Sequence, residues 1–150
     1  DRSGYGGMAY YSSSTCGENG DTGCTTNYAK SEVKYVVDAW ALDKLKANDL
    51  KEDKTGYSAR LITLDDLVDN LGYVSSYLNT YYTSTADVTP SWVYNSKYSS
   101  WTMSQYGDST SDVWVVNSCG GLDNGGVSHV NVYYNGFIVR PVITLLKSAI

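Results

Sequence analysis

One histidine, one phenylalanine and a thin supply of charge set the first limits on this 150-residue chain. A lone His cannot supply a catalytic triad by itself, and neither a Gly-x-Ser-x-Gly elbow nor a His-Glu-x-x-His helix occurs. Phosphate-cradling loops are missing too, because the glycine pairs at 120–121 and 125–126 precede neither a lysine nor a helical pattern. The charge balance is 11 basic against 16 acidic residues, net −5. With a pI near 4.6, this argues against nucleic acid and anionic membranes as main partners. No apolar run reaches the length that crosses a bilayer, so this segment is not expected to insert directly into a membrane. The chain reads as a non-enzyme that needs no cofactor or metal.

The abundant residues point elsewhere. Fifteen Tyr stand against the single Phe, beside 14 Gly and long stretches of Ser, Asn and Thr. Tyrosine offers a large rigid surface with a polar tip, and Ser, Gly and Asn adapt around it, a mixture that binding surfaces use. The same usage also suits β-strands and loops, and composition leaves both readings open. Cys16 and Cys24 enclose a short polar stretch. A zinc site would need more ligands, and the one His, His129, is far away, so a Cys16–Cys24 disulfide and an oxidising compartment are expected. Cys119 is left over. The opening Asp1-Arg2-Ser3-Gly4 does not look like a translation start, so a preceding segment is expected.

Along the chain we expect a single domain over 1–150. An edge strand around Met8–Ser12 and the cystine loop occupy residues 1–29. A helix is predicted over 31–47: Ser31 caps it, Glu32 lies in its first turn, and Val33, Val36, Val37, Trp40, Ala41 and Leu45 recur on one face. Residues 58–62 read as a short strand. Thr63 then opens a second helix, with Asp66 at the capping-box position, Leu64, Leu67, Val68 and Leu71 on one face, and Gly72 to end it. For the acidic pair Asp65-Asp66, stabilisation by the helix dipole is the ordinary explanation. Residues 73–98 lack a period and read as irregular loops anchored by Trp92 and Tyr94. Ser100–Ser104, Asp112–Asn117, Val127–Tyr133 and Phe137–Leu146 read as strands. The fold class is therefore α+β, two helices packed on a small, mostly antiparallel C-terminal sheet with long loops.

Three segments, Trp101-Thr-Met-Ser104, Val113-Trp-Val-Val116 and Gly136-Phe-Ile-Val-Arg-Pro-Val-Ile143, resemble the end of C-type-lectin-like domains of bacterial and phage surface proteins. The chain looks most like the variable proteins of diversity-generating retroelements. The resemblance covers residues 100–146 best, 30–72 loosely and 1–29 not at all. It implies an extracellular or cell-surface adhesion module whose rigid frame displays a variable face. From Val115 to Val139 there is no Lys, Glu, Gln, Met or Trp, and every residue type has a codon ending in a pyrimidine. Randomised adenines in Asn codons would leave that menu, with Cys119, Gly121, Asp123, Ser128, His129 and Tyr133 as draws from it. Calcium-dependent sugar-binding lectins of this fold carry Glu-Pro-Asn or Gln-Pro-Asp with Trp-Asn-Asp, and none of these triplets is present. The formylglycine-generating enzymes share part of the fold but use a pair of late cysteines, where this chain has only Cys119.

The recognition face is placed at 106–136. Its expected contacts are Tyr106, Asp112, Val115, Cys119, Asp123, Ser128, His129, Asn131, Tyr133 and Tyr134, of which strand alternation lets about half face outward. Structural roles go to Arg140, as a tie for loop carbonyls, and to Trp101 and Trp114 as core anchors. The expected partner is a cell-surface protein or glycan. The alternative is the globular head of a pilin-like or other surface filament subunit, whose tyrosine-rich surfaces would mediate self-association.

Overall fold

The computed structural model describes residues 7–11, 16, 24–76, 81–84, 92–93, 97–118 and 127–149. The first long element, α1, spans Glu32–Lys44. The Ser31 hydroxyl accepts from the Lys34 amide at 3.1 Å, satisfying one of the amides that a helix start leaves unpaired. Val33 and Val37 are buried, and Val36, Trp40, Ala41 and Leu45 lie half-buried along the same stripe. The helix stops short of residue 47 because Leu45 turns to extended backbone.

Strand β1 (Ala59–Leu61) leads into the second helix, α2 (residues 64–71). Thr63 and Asp66 close a reciprocal capping box: the Asp66 amide donates to Thr63 Oγ1 and the Thr63 amide to Asp66 Oδ2, each at 2.9 Å. Over Asp66–Asn70 the winding is π-helical, wider than the expected α-helix. That winding breaks the 3.6-residue register. Leu67 is buried, with Leu64 and Leu71 packed beside it, but Val68 emerges on the exposed side rather than sharing their face. Gly72, at φ 68°, ends the element in the left-handed region that glycine tolerates.

The stretch 73–98, expected to be loop, contributes two strands, β2 (Tyr73–Ser76) and β3 (Tyr81–Ser84). Tyrosine and β-branched residues suffice for an edge hairpin even where no alternation announces it. Trp92 is 56% exposed and does not anchor this region; its neighbour Val93 is the buried residue. Tyr94 lies outside the described residues. The remaining strands are β4 (Ser100–Gln105), β5 (Asp112–Val116), β6 (Val127–Asn131) and β7 (Pro141–Ile143). A five-stranded antiparallel sheet runs in the order β2-β3-β6-β5-β4, and β1 pairs with β7 in a separate two-stranded ribbon. Of the expected strand 137–146, only β7 is continuous, with isolated bridges from Phe137, Ile138 and Leu145. The chain is thus α+β with small antiparallel sheets.

Both faces of β5 are covered. Val113 and Val115 point into a cluster with Trp101, Leu61, Tyr10 and the α1 residues Val33 and Val37. Trp114 and Val116 point the other way, onto Ile62, Leu67, Tyr73, Val93 and Val127. The N-terminal segment belongs to the first cluster. Met8 bridges Phe137, Tyr10 is buried edge-on against Trp101 at 5.6 Å, and Trp101 Nε1 donates to the Met8 carbonyl at 2.8 Å. Gly7 approaches so closely that a Cβ there would lie 2.2 Å from the Gly136 carbonyl carbon. Cys16 and Cys24 form a disulfide, their Cα atoms 4.7 Å apart.

Two stability outcomes follow from this packing. Gly7→Ala is expected to destabilise the chain by roughly 1–3 kcal/mol, as overpacking against backbone does. A lowered urea midpoint with an unchanged slope would show it, and wild-type stability would mean that residues 7–11 are not docked. Reducing Cys16–Cys24, eight residues apart, should cost about 2–3 kcal/mol by releasing a short closed loop in the unfolded chain. Equal midpoints with and without reductant would remove the bridge from the fold's stability.

Candidate functional site

Register decides which predicted contacts meet. Across β5 and β6, Asp112 faces Asn131, Trp114 faces His129 and Val116 faces Val127, all on one side of the sheet. Val113 faces Val130 and Val115 faces Ser128 on the other. The turn between β4 and β5 folds Tyr106 back over the first set. Its amide donates to the Asp112 carbonyl at 3.0 Å, and Ser109 Oγ holds the turn by accepting from the Ser111 and Asp112 amides at 3.2 and 2.9 Å.

The result is a compact aromatic cluster. Tyr106 stacks on the His129 imidazole with ring centres 3.6 Å apart and planes 11° from parallel. Trp114 meets both rings edge-on, at 5.0 Å from Tyr106 and 6.0 Å from His129. Asp112 Oδ2 stands 3.6 Å from His129 Nδ1, close enough for a favourable charge contact when the imidazole is protonated. The His129 and Asp112 side chains are 33% and 28% exposed, so both hold their positions while still reaching solvent. An imidazole, a phenol and a carboxylate side by side can stack on a flat group and exchange hydrogen bonds with it.

Beyond the end of β6, the Tyr133 amide donates to Asn131 Oδ1 at 3.3 Å. Tyr133 and Tyr134 stack at 5.4 Å; Tyr133 leans on the first cluster and Tyr134 is 53% exposed. Ser128 exchanges hydrogen bonds with the Asn117 amide group at 2.9 and 3.2 Å on the opposite sheet face. Val115 is a correction: it is fully buried and packs in the core, so it cannot touch a ligand. Alternation along β5 turns Val115 away from Trp114 as expected, but the side it turns to is covered by α1. Cys119 and Asp123 lie outside the described residues. Trp101 and Trp114 are both buried. Arg140 Nη1 donates to the Val93 carbonyl at 3.1 Å, and burial pushes its guanidinium below the ordinary range.

A second feature escaped the sequence. Arg60, in β1, is 7% exposed and bonded on nearly every side. Nε donates to Asp53 Oδ2 at 2.7 Å, Nη1 to Asp66 Oδ2 at 2.6 Å and to the Leu61 carbonyl at 2.8 Å, and Nη2 to Asp66 Oδ1 at 3.3 Å. Asp66 is therefore not simply a dipole-favoured residue of a helix start; it holds a buried guanidinium. Arg60 sits among Ala59, Leu61 and Ile62 much as Arg140 sits among Val139, Pro141 and Val142, and that shared pattern was the available signal. Arg60 and Asp66 wall a cleft of about 390 Å³ together with Asn70, Leu71, Val142 and the exposed Trp92. Among the described residues, no group of three His, Cys, Asp or Glu is placed to hold a metal ion, and no helix is long and apolar enough to cross a membrane. No protein-family model, curated protein or solved structure matches the chain.

The ion triad makes stability depend on acid. Burial pushes the Asp53 and Asp66 carboxyls up, but hydrogen bonds from Thr55, Thr63 and Arg60 outweigh it and both end below the usual carboxylate range. Their folded pKa values lie below the unfolded ones. This stabilisation is therefore complete above about pH 4 and disappears as pH falls through the folded values. Urea titrations stepped downward from about pH 5 should show a loss of stability beginning near pH 4 that is smaller in Asp53→Asn. An acid limb identical in the two proteins would exclude Asp53 as a source.

Proposed function

We propose that this chain is an extracellular binding module of the C-type-lectin-like kind, presenting a recognition face built around Tyr106, Asp112 and His129. The carrying observation is the Tyr106–His129 stack, which lies with Asp112 at a half-exposed position beside a strand, β5, whose middle is packed on both faces. Asn131, opposite Asp112, extends that face, and the exposed Tyr134, stacked on Tyr133 and edge-on to Phe137 beside the first cluster, adds a further aromatic surface. A disulfide suits a cell-surface location. The partner is a surface protein or glycan, bound without a cofactor and without chemistry. Two helices ahead of a five-stranded antiparallel sheet, with β7 paired to β1 in a ribbon beside it, support the fold reading. Variation by a retroelement would then fall on half-exposed positions such as Ser128, His129, Asn131, Tyr133 and Tyr134.

Reading the same locus in many related isolates tests the proposal. Variation should concentrate at Tyr106, Asp112, Ser128, His129, Asn131, Tyr133 and Tyr134, with Val113, Val115, Val130 and Val132 fixed between them. An even spread over the surface would sink the variable-face reading and favour a filament subunit. For any partner found on an array of surface glycans and proteins, His129→Ala and Tyr106→Ala should each weaken binding about tenfold with the fold retained.

A further inference from the structure

We infer that the cleft between β1, β7 and α2 is a second binding site, one that takes a single neutral sugar ring of pyranose size. It is separate from the Tyr106–His129 face and does not depend on that reading.

The charge count in the wall comes first. Arg60 has five N–H donors, and the hydrogen bonds to Asp53, Asp66 and the Leu61 carbonyl use four of them. One Nη2 hydrogen remains. Asp66 accepts two bonds at Oδ2, from Arg60 and from the Thr63 amide, and one at Oδ1. A carboxylate offers about four such sites, so roughly one is left. The wall thus has one donor and one acceptor to spare, on a cluster of one guanidinium and two carboxylates, and the exposed Asn70 adds a carboxamide that can do both.

This inventory excludes charged ligands. An anion would find one N–H beside two carboxylates, and a cation would find only about one spare acceptor site on Asp66, next to the Arg60 guanidinium. A hydroxyl group, which donates and accepts at once, matches the remaining pair. The opposite requirement is a flat apolar surface. Trp92 lines the cleft with its side chain 56% exposed, while Ile62, Leu71 and Val142 make up much of the remaining lining. An exposed indole is costly to leave uncovered and packs well against the C–H face of a sugar ring. Hydroxyls on one edge and C–H groups on one face describe a neutral pyranose. A volume of about 390 Å³ accommodates one ring with room for a substituent, at the lower end of ligand-binding pockets.

The test uses the full chain. Tryptophan fluorescence and ligand-observed NMR are followed during titration with methyl glycosides of glucose, galactose, mannose and N-acetylglucosamine. At least one should give saturable binding in the millimolar range, weakened about tenfold or more by Trp92→Ala and also weakened by Asn70→Ala. Both residues are exposed, and far-ultraviolet dichroism checks that each variant folds. His129→Ala should leave this binding unchanged, so failure of the cleft and failure of the recognition face are distinguishable. The inference is overturned if none of the four glycosides binds or if binding survives both cleft substitutions. It is equally overturned if inorganic sulfate or arginine amide binds in preference to the neutral sugars.

Discussion

A strand packed on both faces has little of itself left to show. Here Val113 and Val115 are covered from the α1 side, and Trp114 and Val116 from the α2 side, so the middle of β5 is closed to any partner. Access survives where the covering layers end. Asp112, at the start of β5, and His129 and Asn131, toward the end of β6, occupy that margin. Tyr106 reaches it only because the β4–β5 turn folds back and is held by Ser109. The position of the proposed recognition face thus follows from how the core is closed. An antiparallel sheet with one solvated face would have offered every second residue; this one offers its margin.

The same closure explains the two guanidiniums. A charged group inside two apolar layers must be paired or strongly hydrogen-bonded. Arg60 meets that demand with two carboxylates. Burial works against its charge, but the hydrogen bonds and charges of Asp66 and Asp53 outweigh it and hold its pKa above the usual value. Arg140 Nη1 bonds to the Val93 carbonyl, and there burial prevails and lowers the guanidinium's pKa. Their mechanical roles differ accordingly. Arg60 joins the turn at Asp53, strand β1 and the first turn of α2 into one block. Arg140 fastens the short segment at Trp92–Val93 to the chain just ahead of β7.

How far the sequence revealed this depended on whether a signal was local. The capping box at Thr63 and Asp66, the Ser31 cap and the helix-ending Gly72 were legible because each is read over four residues or fewer. The α1 stripe was legible because its period matches the helix. The hairpin β2–β3 was not, since a pair rich in Tyr and Ser can form a ladder with no alternation to announce it. Val68 was misplaced because nothing in Asp66–Asn70 announces π winding. Val115 was misassigned for a different reason: alternation gave its side of the strand correctly, but not what covers that side. The Arg60 triad needs two side-chain closures, six and seven residues apart in sequence, that no spacing rule encodes.

These facts bear on whether such a scaffold could carry a changing surface. Substitutions at half-exposed positions away from caps and buried networks usually shift stability by less than about 0.5 kcal/mol, whereas truncating a packed core side chain costs several times that. Tyr106 and His129 owe their arrangement mainly to stacking on each other and on Trp114, and Tyr134 to its contacts with Tyr133 and Phe137. Replacing one of them loses a contact but opens no cavity in the main core. Asp112 keeps its backbone place through β-pairing with Asn131 and the Ser109 bond to its amide, neither of which depends on its side chain. The four valines between these positions, Val113, Val115, Val130 and Val132, have no such freedom, being buried or packed against the first cluster. The strands thus interleave tolerant and intolerant positions, and that arrangement is what a diversified binding face would require of its frame.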